Sequence, residues 1–349
     1  MAPPSLHHHN TDTVQEVQLQ LFSRGLLHLG PDNSTPIPTG ITAAPTPIKY
    51  DDYLAVKELQ PAINTCLDNM SRDTDFIVSS LSKVAEHDPF CQGFLDIYKD
   101  LPDPARGDIS LGLFRHDFMY AAAEPRSDTA HLDGQFKLVE FNLVAASMGA
   151  LTEGVSRYHT TVLNRAGLGN EQVAGEMNIV GGYSEGIARA HGLYQTQHGS
   201  TNCVVVLVET AFEGNFNYFD QQIPLNAVEE EGVSTVRCST DYLLKHGRVS
   251  EHGRYLIQLG GDESVFREVS VFYLRTMYAP SHFPGPEYWS LRRDMEMSRA
   301  VCTPSIPHTI VNMKLFQMLL TQVGSNYRSS APSQSYYLMF STTLLVILM

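Results

Sequence analysis

The sequence has few cysteines for its length, and they follow no pairing pattern. Its 349 residues include five cysteines, and no two of them form a Cys-x-x-Cys pair. This spacing favours neither a disulfide framework nor a zinc site, and it predicts a reducing compartment. The cysteines are Cys66, Cys91, Cys203, Cys238 and Cys302.

Positive charge is also scarce. Lys and Arg number 24 against 38 Asp and Glu, which gives a net charge of −14. This balance argues against a broad basic face for nucleic acid, so no nucleic-acid partner is expected. Hydrophobic residues at 43% and charged residues at 18% are ordinary globular usage. The length predicts about two domains of roughly 150 residues.

Targeting and membrane-spanning segments are not evident either. The N-terminal MAPPSLHHHNTD lacks a basic start followed by an apolar run, which predicts a cytoplasmic protein. The apolar run Tyr336–Met349 is 14 residues long, shorter than the roughly 20 needed to cross a bilayer. We therefore expect no membrane partner, and we interpret this run as a tail foreign to the fold.

Hydrophobic periodicity predicts helices before strands along the chain. A short helix within residues 11–28 precedes a Pro-rich connection, and three helical segments lie between Asp51 and Tyr98. Two paired strands, Leu111–Tyr120 and Phe136–Val144, flank the turn signal Asp133-Gly134. Further helices are predicted over Glu153–Arg165 and Gly182–Tyr194.

The later part of the chain alternates strands with helices. Cys203–Glu209, a helix over Tyr218–Glu231 and Ser234–Cys238 form a β-α-β unit, and the unbroken apolar run predicts a parallel strand covered on both faces. A strand over Val269–Leu274 and a helix over Tyr288–Arg299 continue the pattern. One α/β domain spanning about 198–302 is the simplest interpretation.

Two polar strand positions could hold a hard cation. Glu140 and Asn142 in VEFNL lie two residues apart, so their side chains point to one face of a strand. A carboxylate and an amide oxygen suit Mg²⁺, which prefers oxygen ligands. The alternative is a solvated strand face.

Arg115 and Asp117 in LGLFRHDFM have the same spacing on the neighbouring strand. The Arg115 guanidinium could grip a carboxylate or phosphate through its planar fork. The alternative is a structural ion pair between these two side chains.

Two further pairs lie in the predicted α/β domain. Asn217 and Gln221 are four residues apart at the start of a helix and could hold the charged ends of an amino-acid-like ligand. Helix capping by Asn217 and solvation of Gln221 are the alternatives. Arg275 and Tyr278 follow a strand at the carboxyl edge, where α/β sheets contact ligands, although Tyr278 also suits a boundary aromatic.

Five segments occur in an order and at a spacing that resemble eukaryotic-type glutathione synthetase, an ATP-grasp peptide ligase. They are LGLFRHDFM, VEFNLVAASMGAL, GGYSEGIARAHGLY, NYFDQQ and VFYLRTMY. The resemblance covers roughly residues 50–324, and SRAVCTPSIPHTIVNMKLFQMLL looks like the family segment with a nucleotide-contacting lysine, here Lys314. It implies ATP-dependent joining of γ-glutamylcysteine to glycine, with Mg²⁺ as cofactor, in a homodimer.

The family pattern also implies roles for individual residues. Arg115 and Glu140 match catalytic positions, and Glu140 and Asn142 match magnesium ligands, with Glu140 and Lys314 beside the nucleotide. The positions that match contacts to γ-glutamylcysteine are Arg115, Ser147, Asn217, Gln221, Arg275 and Tyr278. Ala145 replaces a serine usual in the family's Ser-x-Ser pair, which removes one implied substrate hydrogen bond.

The implied fold class is α/β with an α+β N-terminal part: an incomplete ATP-grasp fold with an inserted three-layer α/β substrate-binding domain. Family members continue into a glycine-rich loop, a second magnesium carboxylate and a lid, whereas this sequence ends in a Ser-rich and apolar tail. The implied division is a variable N-terminal extension (1–50), the helical and β part of the ATP-grasp body (51–197), the substrate-binding domain (198–302), the start of the ATP-binding part (303–324) and a non-family tail (325–349).

The expected function is that of a glutathione synthase that forms an acyl phosphate. The alternative is a non-catalytic isoform or faulty gene model that keeps only dipeptide-binding and dimerisation surfaces. From the sequence alone, we expect an ATP-dependent ligase by family, and we expect the 349-residue chain by itself to have no ligase activity, because the glycine-rich loop and the second magnesium carboxylate are not in it. An unrelated small-molecule-binding α/β module is a third interpretation, which the five ordered segments argue against.

Overall fold

Helices precede the first long strands in the computed structural model of the chain. It describes residues 14–46, 48–102, 109–122, 134–168, 177–210, 216–260, 265–322 and 337–339. The helices are α1 (Val14–Ser23), α2 (Tyr50–Ser71), α3 (Thr74–Ala85), α4 (Pro89–Asp100), α5 (Gly149–Arg165), α6 (Ile179–His198), α7 (Tyr218–Glu230), α8 (Thr240–His246), α9 (Pro286–Met297), α10 (Ile306–Val311) and α11 (Lys314–Gln322).

Within the described residues, the strands form one large sheet and three strand pairs. They are β1 (Leu27–Leu29), β2 (Pro36–Pro38), β3 (Ser110–Gly112), β4 (Arg115–Ala122), β5 (Gly134–Asn142), β6 (Cys203–Glu209), β7 (Thr235–Ser239), β8 (Gly247–Val249), β9 (Tyr255–Gln258), β10 (Phe266–Leu274), β11 (Val301–Thr303) and β12 (Tyr337–Met339).

The N-terminal helices begin where the sequence offers side-chain caps. The Asp73 carboxylate accepts a hydrogen bond from the Phe76 N–H at 3.0 Å, and Asp88 accepts one from Phe90 at 2.9 Å. Pro89 follows Asp88 at the first helical position, where its missing N–H costs nothing. The three helices predicted between Asp51 and Tyr98 are confirmed as α2, α3 and α4.

The large sheet has the order β7-β6-β10-β9-β8, with β11 beside the other half of β10. Strands β6, β7, β10 and β11 are parallel, and all seven residues of β6 are buried. Val204 and Val206 of β6 face a core with α3, α4 and α9, while Val205 and Leu207 face α6 and α7. The predicted β-α-β unit and the α/β fold class are therefore confirmed.

The predicted pair of strands after Gly107 is present as β4 and β5, which run antiparallel. Leu111 lies instead in the separate strand β3, because its buried side chain packs in the core with α6. β3 pairs in parallel with β12, so residues 337–339 of the predicted tail add a strand. The Asp133 half of the predicted turn lies outside the described residues.

The short helix predicted within residues 11–28 is confirmed as α1, which ends at Ser23 before the chain turns at Gly25 with φ of +67°. One N-terminal expectation is corrected. The segment expected to be a plain surface connection contains β2, which pairs with β1. Across the part of the chain that the structure describes, no helix is both long and apolar enough to span a membrane.

A buried histidine on β4 predicts how stability depends on pH. The His116 Nε2–H donates to Asn64 Oδ1 at 2.7 Å, and burial lowers the pKa of His116 to about 4 from its ordinary 6.5. Between these pH values the unfolded chain binds a proton that the native chain does not. The free energy of unfolding is therefore expected to fall by up to about 3 kcal/mol as the pH falls from 6.5 towards 4.

Urea unfolding at pH 7.5 and pH 4.5 measures this effect in His116→Gln, which should lose less stability on acidification than the unmodified chain. His87→Gln, at an exposed position, serves as the control and should keep the full pH dependence. An equal loss in all three proteins would contradict the role of His116.

Candidate active site

Four polar side chains predicted from the sequence lie on one face of the β4–β5 pair. The register places Arg115 opposite Asn142 and Asp117 opposite Glu140. Residues two apart on a strand share a face, and directly opposite residues of an antiparallel pair share it too. The two separate pairs in the sequence therefore form one cluster of carboxylate, amide and guanidinium groups.

Arg115 forms an ion pair inside this cluster. Arg115 Nε donates to Asp117 Oδ1 at 2.9 Å, and Arg115 Nη2 donates to Asp117 Oδ2 at 3.2 Å, so the contact is bidentate. The structural ion pair considered from the sequence is therefore present. Arg115 also donates to the backbone oxygen of Ser147 at 3.4 Å, so the same guanidinium contacts the loop that follows β5.

Asp117 also fixes the Asn142 amide. Asn142 Nδ2 donates to Asp117 Oδ2 at 3.1 Å. This hydrogen bond fixes the amide group, so the Asn142 Oδ1 atom is left as its acceptor. The cluster therefore combines carboxylate oxygens of Glu140 and Asp117 with an amide oxygen. An all-oxygen set of this kind suits a hard divalent cation better than a transition metal. In the described ranges, no group of three or more His, Cys, Asp or Glu is arranged to hold a metal.

The first residue of α11, Lys314, contacts this cluster. Lys314 Nζ donates to Glu140 Oε1. Asn312 Oδ1 accepts a hydrogen bond from the Leu143 N–H at 2.7 Å, at the end of β5. These contacts bring a cation 174 residues away in sequence onto the predicted metal ligand.

The loop after β5 has an unusual backbone. Ala145 and Met148 adopt left-handed conformations with φ of 44° and 69°, although neither is glycine. Such conformations are costly for residues with a Cβ and persist only when surrounding contacts hold them. Here the Met148 and Ala150 N–H groups donate to the Asp220 carboxylate at 2.8 and 3.2 Å. Ser147 is therefore carried on a strained loop that is held from α7.

Asp220 also contacts Arg275, one of the predicted site residues. Arg275 lies 3.5 Å from Asp220 Oδ2, and both side chains are almost fully buried. Arg275 also donates to the Tyr273 hydroxyl at 3.0 Å. Burial lowers the pKa of Arg275, but the Tyr273 hydroxyl and the Asp220 carboxylate raise it by more, so its pKa lies above the ordinary value.

A second arginine, the partly buried Arg237 of β7, contacts Gln221. Arg237 donates to Gln221 Oε1 at 2.8 Å and to the Glu209 carboxylate. Burial, and next the positive charge of Arg275, lower the pKa of Arg237 to about 10. The guanidinium therefore stays charged at neutral pH.

Asn217 and Tyr278 lie at the margin of this region. Asn217 is the N-cap residue of α7, but its side chain makes no cap hydrogen bond. Tyr278 is 44% exposed, and its ring centroid lies 4.8 Å from that of His282 in an edge-to-face contact. The described contacts join Arg115, Ser147 and Arg275 through Asp220, whereas Tyr278 lies on the surface three residues beyond Arg275.

The sequence matches the family described as eukaryotic glutathione synthase, ATP binding domain, over residues 11–329. The chain belongs to this family. Glutathione synthetase of Mus musculus is 29% identical over 287 residues, which are 81% of this chain and 56% of the mouse protein. The chloroplastic glutathione synthetase of Solanum lycopersicum is 28% identical over 275 residues, 76% of this chain and 45% of that protein.

The chain thus spans about half the length of the curated glutathione synthetases that it matches. A solved structure of a glutathione synthetase-like effector from Globodera pallida, in its apo form, shares the fold with a TM-score of 0.71 at 16% identity. That match covers 93% of this chain and 69% of the effector. These comparisons do not favour the non-catalytic alternative.

Sequence reasoning missed three residues of this region: Asp220 and Arg237, which contact predicted residues, and Glu209, which contacts Arg237. Asp220 lies within NFNYFDQQ, beside the predicted Gln221. Glu209 is the last residue of the parallel strand β6, at the edge where α/β sheets present ligand contacts. That position was the available signal for Glu209, whereas Arg237 lies in the middle of β7 and carried no such signal.

Proposed function

We propose that this chain acts in glutathione synthesis, joining γ-glutamylcysteine to glycine with the consumption of ATP. The observation that supports this best is the continuous series of contacts from Glu140 and Arg115, through Ser147 and Asp220, to Arg275. It links the residues proposed for nucleotide and metal to those proposed for the dipeptide. We propose an ATP-grasp arrangement for the fold on the same grounds.

The dipeptide site of this proposal uses charged and amide groups. Arg275 is buried and cationic, so it suits a carboxylate of γ-glutamylcysteine, and Gln221 lies next to Asp220 on α7. Charge-assisted hydrogen bonds of this kind are among the stronger polar contacts. The complete proposed set is Arg115, Ser147, Asn217, Gln221, Arg275 and Tyr278.

The nucleotide end of the proposal rests on Glu140, Asn142 and Lys314. The oxygen atoms of Glu140 and Asn142 fit Mg²⁺, which commonly takes one or two protein ligands together with phosphate and water. When bound, this ion neutralises phosphate charge. Lys314 pairs with Glu140, and this contact supports the proposal that Lys314 contacts a phosphate beside the same carboxylate.

The proposed reaction passes through an acyl phosphate. The cysteinyl carboxylate attacks the γ-phosphorus of ATP and releases ADP. The neutral glycine amine then attacks the acyl carbon and displaces phosphate, and the proton that the nitrogen loses as the amide bond forms goes to the departing phosphate or to solvent. This chain's residues need no nucleophile for either step. Arg115 and Arg275 hold the dipeptide in place, and Lys314 offsets charge on the transferred phosphoryl group.

The division into an N-terminal extension (1–50), ATP-grasp body (51–197), substrate domain (198–302), start of the ATP-binding part (303–324) and tail (325–349) belongs to the same proposal. So do a homodimeric assembly and a cytoplasmic location.

Titration calorimetry tests the dipeptide part of this function. We expect γ-glutamylcysteine to bind and α-glutamylcysteine, the same two residues with the other peptide linkage, to bind at least about tenfold more weakly, because misplaced charges lose charge-assisted hydrogen bonds. Glutathione formation, measured with ATP, Mg²⁺ and glycine present or individually omitted, tests the ligation step separately. Equal or no binding of the two dipeptides would contradict the proposal.

A further inference from the structure

Asp220 caps helix α5 from a different helix. The helix begins after Met148, whose own side chain makes no cap hydrogen bond. The two oxygens of the Asp220 carboxylate on α7 instead accept the Met148 and Ala150 N–H groups at 2.8 and 3.2 Å. A negative charge at this end of a helix is also favoured by the helix dipole. The start of α5 is therefore fixed by a residue about 70 positions later in the chain.

The same carboxylate holds two proposed dipeptide contacts in relation to each other. Ser147 immediately precedes the capped residue Met148, and Arg275 lies 3.5 Å from Asp220 Oδ2. Asp220 is only 2% exposed, so its carboxylate is buried in the protein where it contacts the loop and the arginine. Movement of Asp220 would move the loop and the guanidinium together.

We propose that Asp220 is a positioning residue for the dipeptide: it fixes the Ser147 loop and the Arg275 guanidinium at the separation that the ligand requires. This inference rests on the proposed binding of γ-glutamylcysteine. Asp220 acts through its neighbours.

Two acceptor oxygens at the position of the Asp220 carboxylate are essential to this role. A carboxylate can accept from two backbone N–H groups and an arginine, because both of its oxygens are acceptors. An asparagine in the same place would turn an amide NH₂ towards at least one of these donors. The loop or Arg275 would then have to shift, although the side chain has nearly the same size.

Glu153 offers a matched comparison on α5. It is 3% exposed, and its carboxylate accepts the Val180 N–H at 2.8 Å in the first turn of α6 as well as a hydrogen bond from Arg157. This residue thus makes the same kinds of contact as Asp220: a helix start and an arginine. Its contacts lead to α6 rather than to the Ser147 loop or Arg275.

The experiment compares Asp220→Asn with Glu153→Gln by urea unfolding and by calorimetric titration of γ-glutamylcysteine into the full chain. Both variants are expected to lose stability. Only Asp220→Asn is expected to weaken dipeptide affinity, by about tenfold or more, while Glu153→Gln stays within about threefold of the unmodified chain. A purely structural role for Asp220 would make the affinities of the two variants equal.

The outcomes separate this inference from the proposed function. If the unmodified chain does not bind γ-glutamylcysteine, the proposed function is wrong and the inference falls with it. If the unmodified chain binds and Asp220→Asn binds as tightly as Glu153→Gln, only the role of Asp220 is overturned. Should Asp220→Asn not fold, Asp220→Glu replaces it, since it keeps the charge but displaces it by one methylene. Weaker binding by this folded variant supports the role, and unchanged affinity overturns it.

Discussion

Glutamine in place of Glu140 is expected to reduce the rate of glutathione formation by about 10²-fold or more, the loss typical when one preorganised charge-stabilising group is removed. The substitution takes away the carboxylate that pairs with Lys314 and that we propose as a magnesium ligand. Because the Glu140 side chain is 35% exposed, the fold should survive. ADP release and the Mg²⁺-dependence of ATP affinity measure the effect.

The control for this substitution is Glu58→Gln on the exposed side of α2, which makes the same change of charge. It should leave the rate and the ATP affinity unchanged. Unmodified turnover in Glu140→Gln, with both proteins equally folded, would exclude Glu140 from the reaction.

Alanine in place of Arg275 is expected to abolish measurable dipeptide binding and to lower the free energy of unfolding by about 3 kcal/mol, the low end of the cost of breaking a buried ion pair. The reason is that the Asp220 carboxylate would stay buried without its arginine. Urea unfolding gives the stability, and calorimetry with γ-glutamylcysteine gives the affinity.

The control variant Arg292→Ala distinguishes the loss of stability from the loss of dipeptide affinity. Arg292 is another fully buried arginine, paired with Glu296 and bonded to the Pro304 backbone oxygen, away from the Ser147 loop. We expect a similar loss of stability and an unchanged affinity for the dipeptide. If folded Arg275→Ala bound the dipeptide as tightly as Arg292→Ala does, Arg275 would have no part in recognition.

The sequence predicted which side chains share a strand face, because successive side chains of a strand point to opposite faces whatever the rest of the fold. Arg115 and Asp117, and likewise Glu140 and Asn142, lie two residues apart, so each pair had to share a face. The register that places Arg115 opposite Asn142 was not predictable. Register depends on the turn that joins two strands and on what each face packs against, and neither is contained in the strand segments themselves.

The contacts that assemble the site were beyond local patterns for another reason. Lys314 was predicted as a site residue only because of the family resemblance. The contact between Asn312 and Leu143 joins residues 169 positions apart in the sequence. The left-handed conformations of Ala145 and Met148 carry no sequence signal, because neither is glycine or asparagine. Only the three-dimensional placement of α7 and α11 explains these features.

The loop after β5 contacts α7 through Asp220 and the start of the α11 region through Asn312, and these contacts form late in folding. The hydrogen bonds from Met148 to Asp220 and from Leu143 to Asn312 close chain segments of 72 and 169 residues. Contacts of this kind bear a large loop-closure entropy before they contribute any stability. A molecule with its helices and central sheet formed but α11 undocked would have native secondary structure and an incomplete site. Circular dichroism would show native secondary structure for such a molecule, whereas a binding measurement would show no ligand bound.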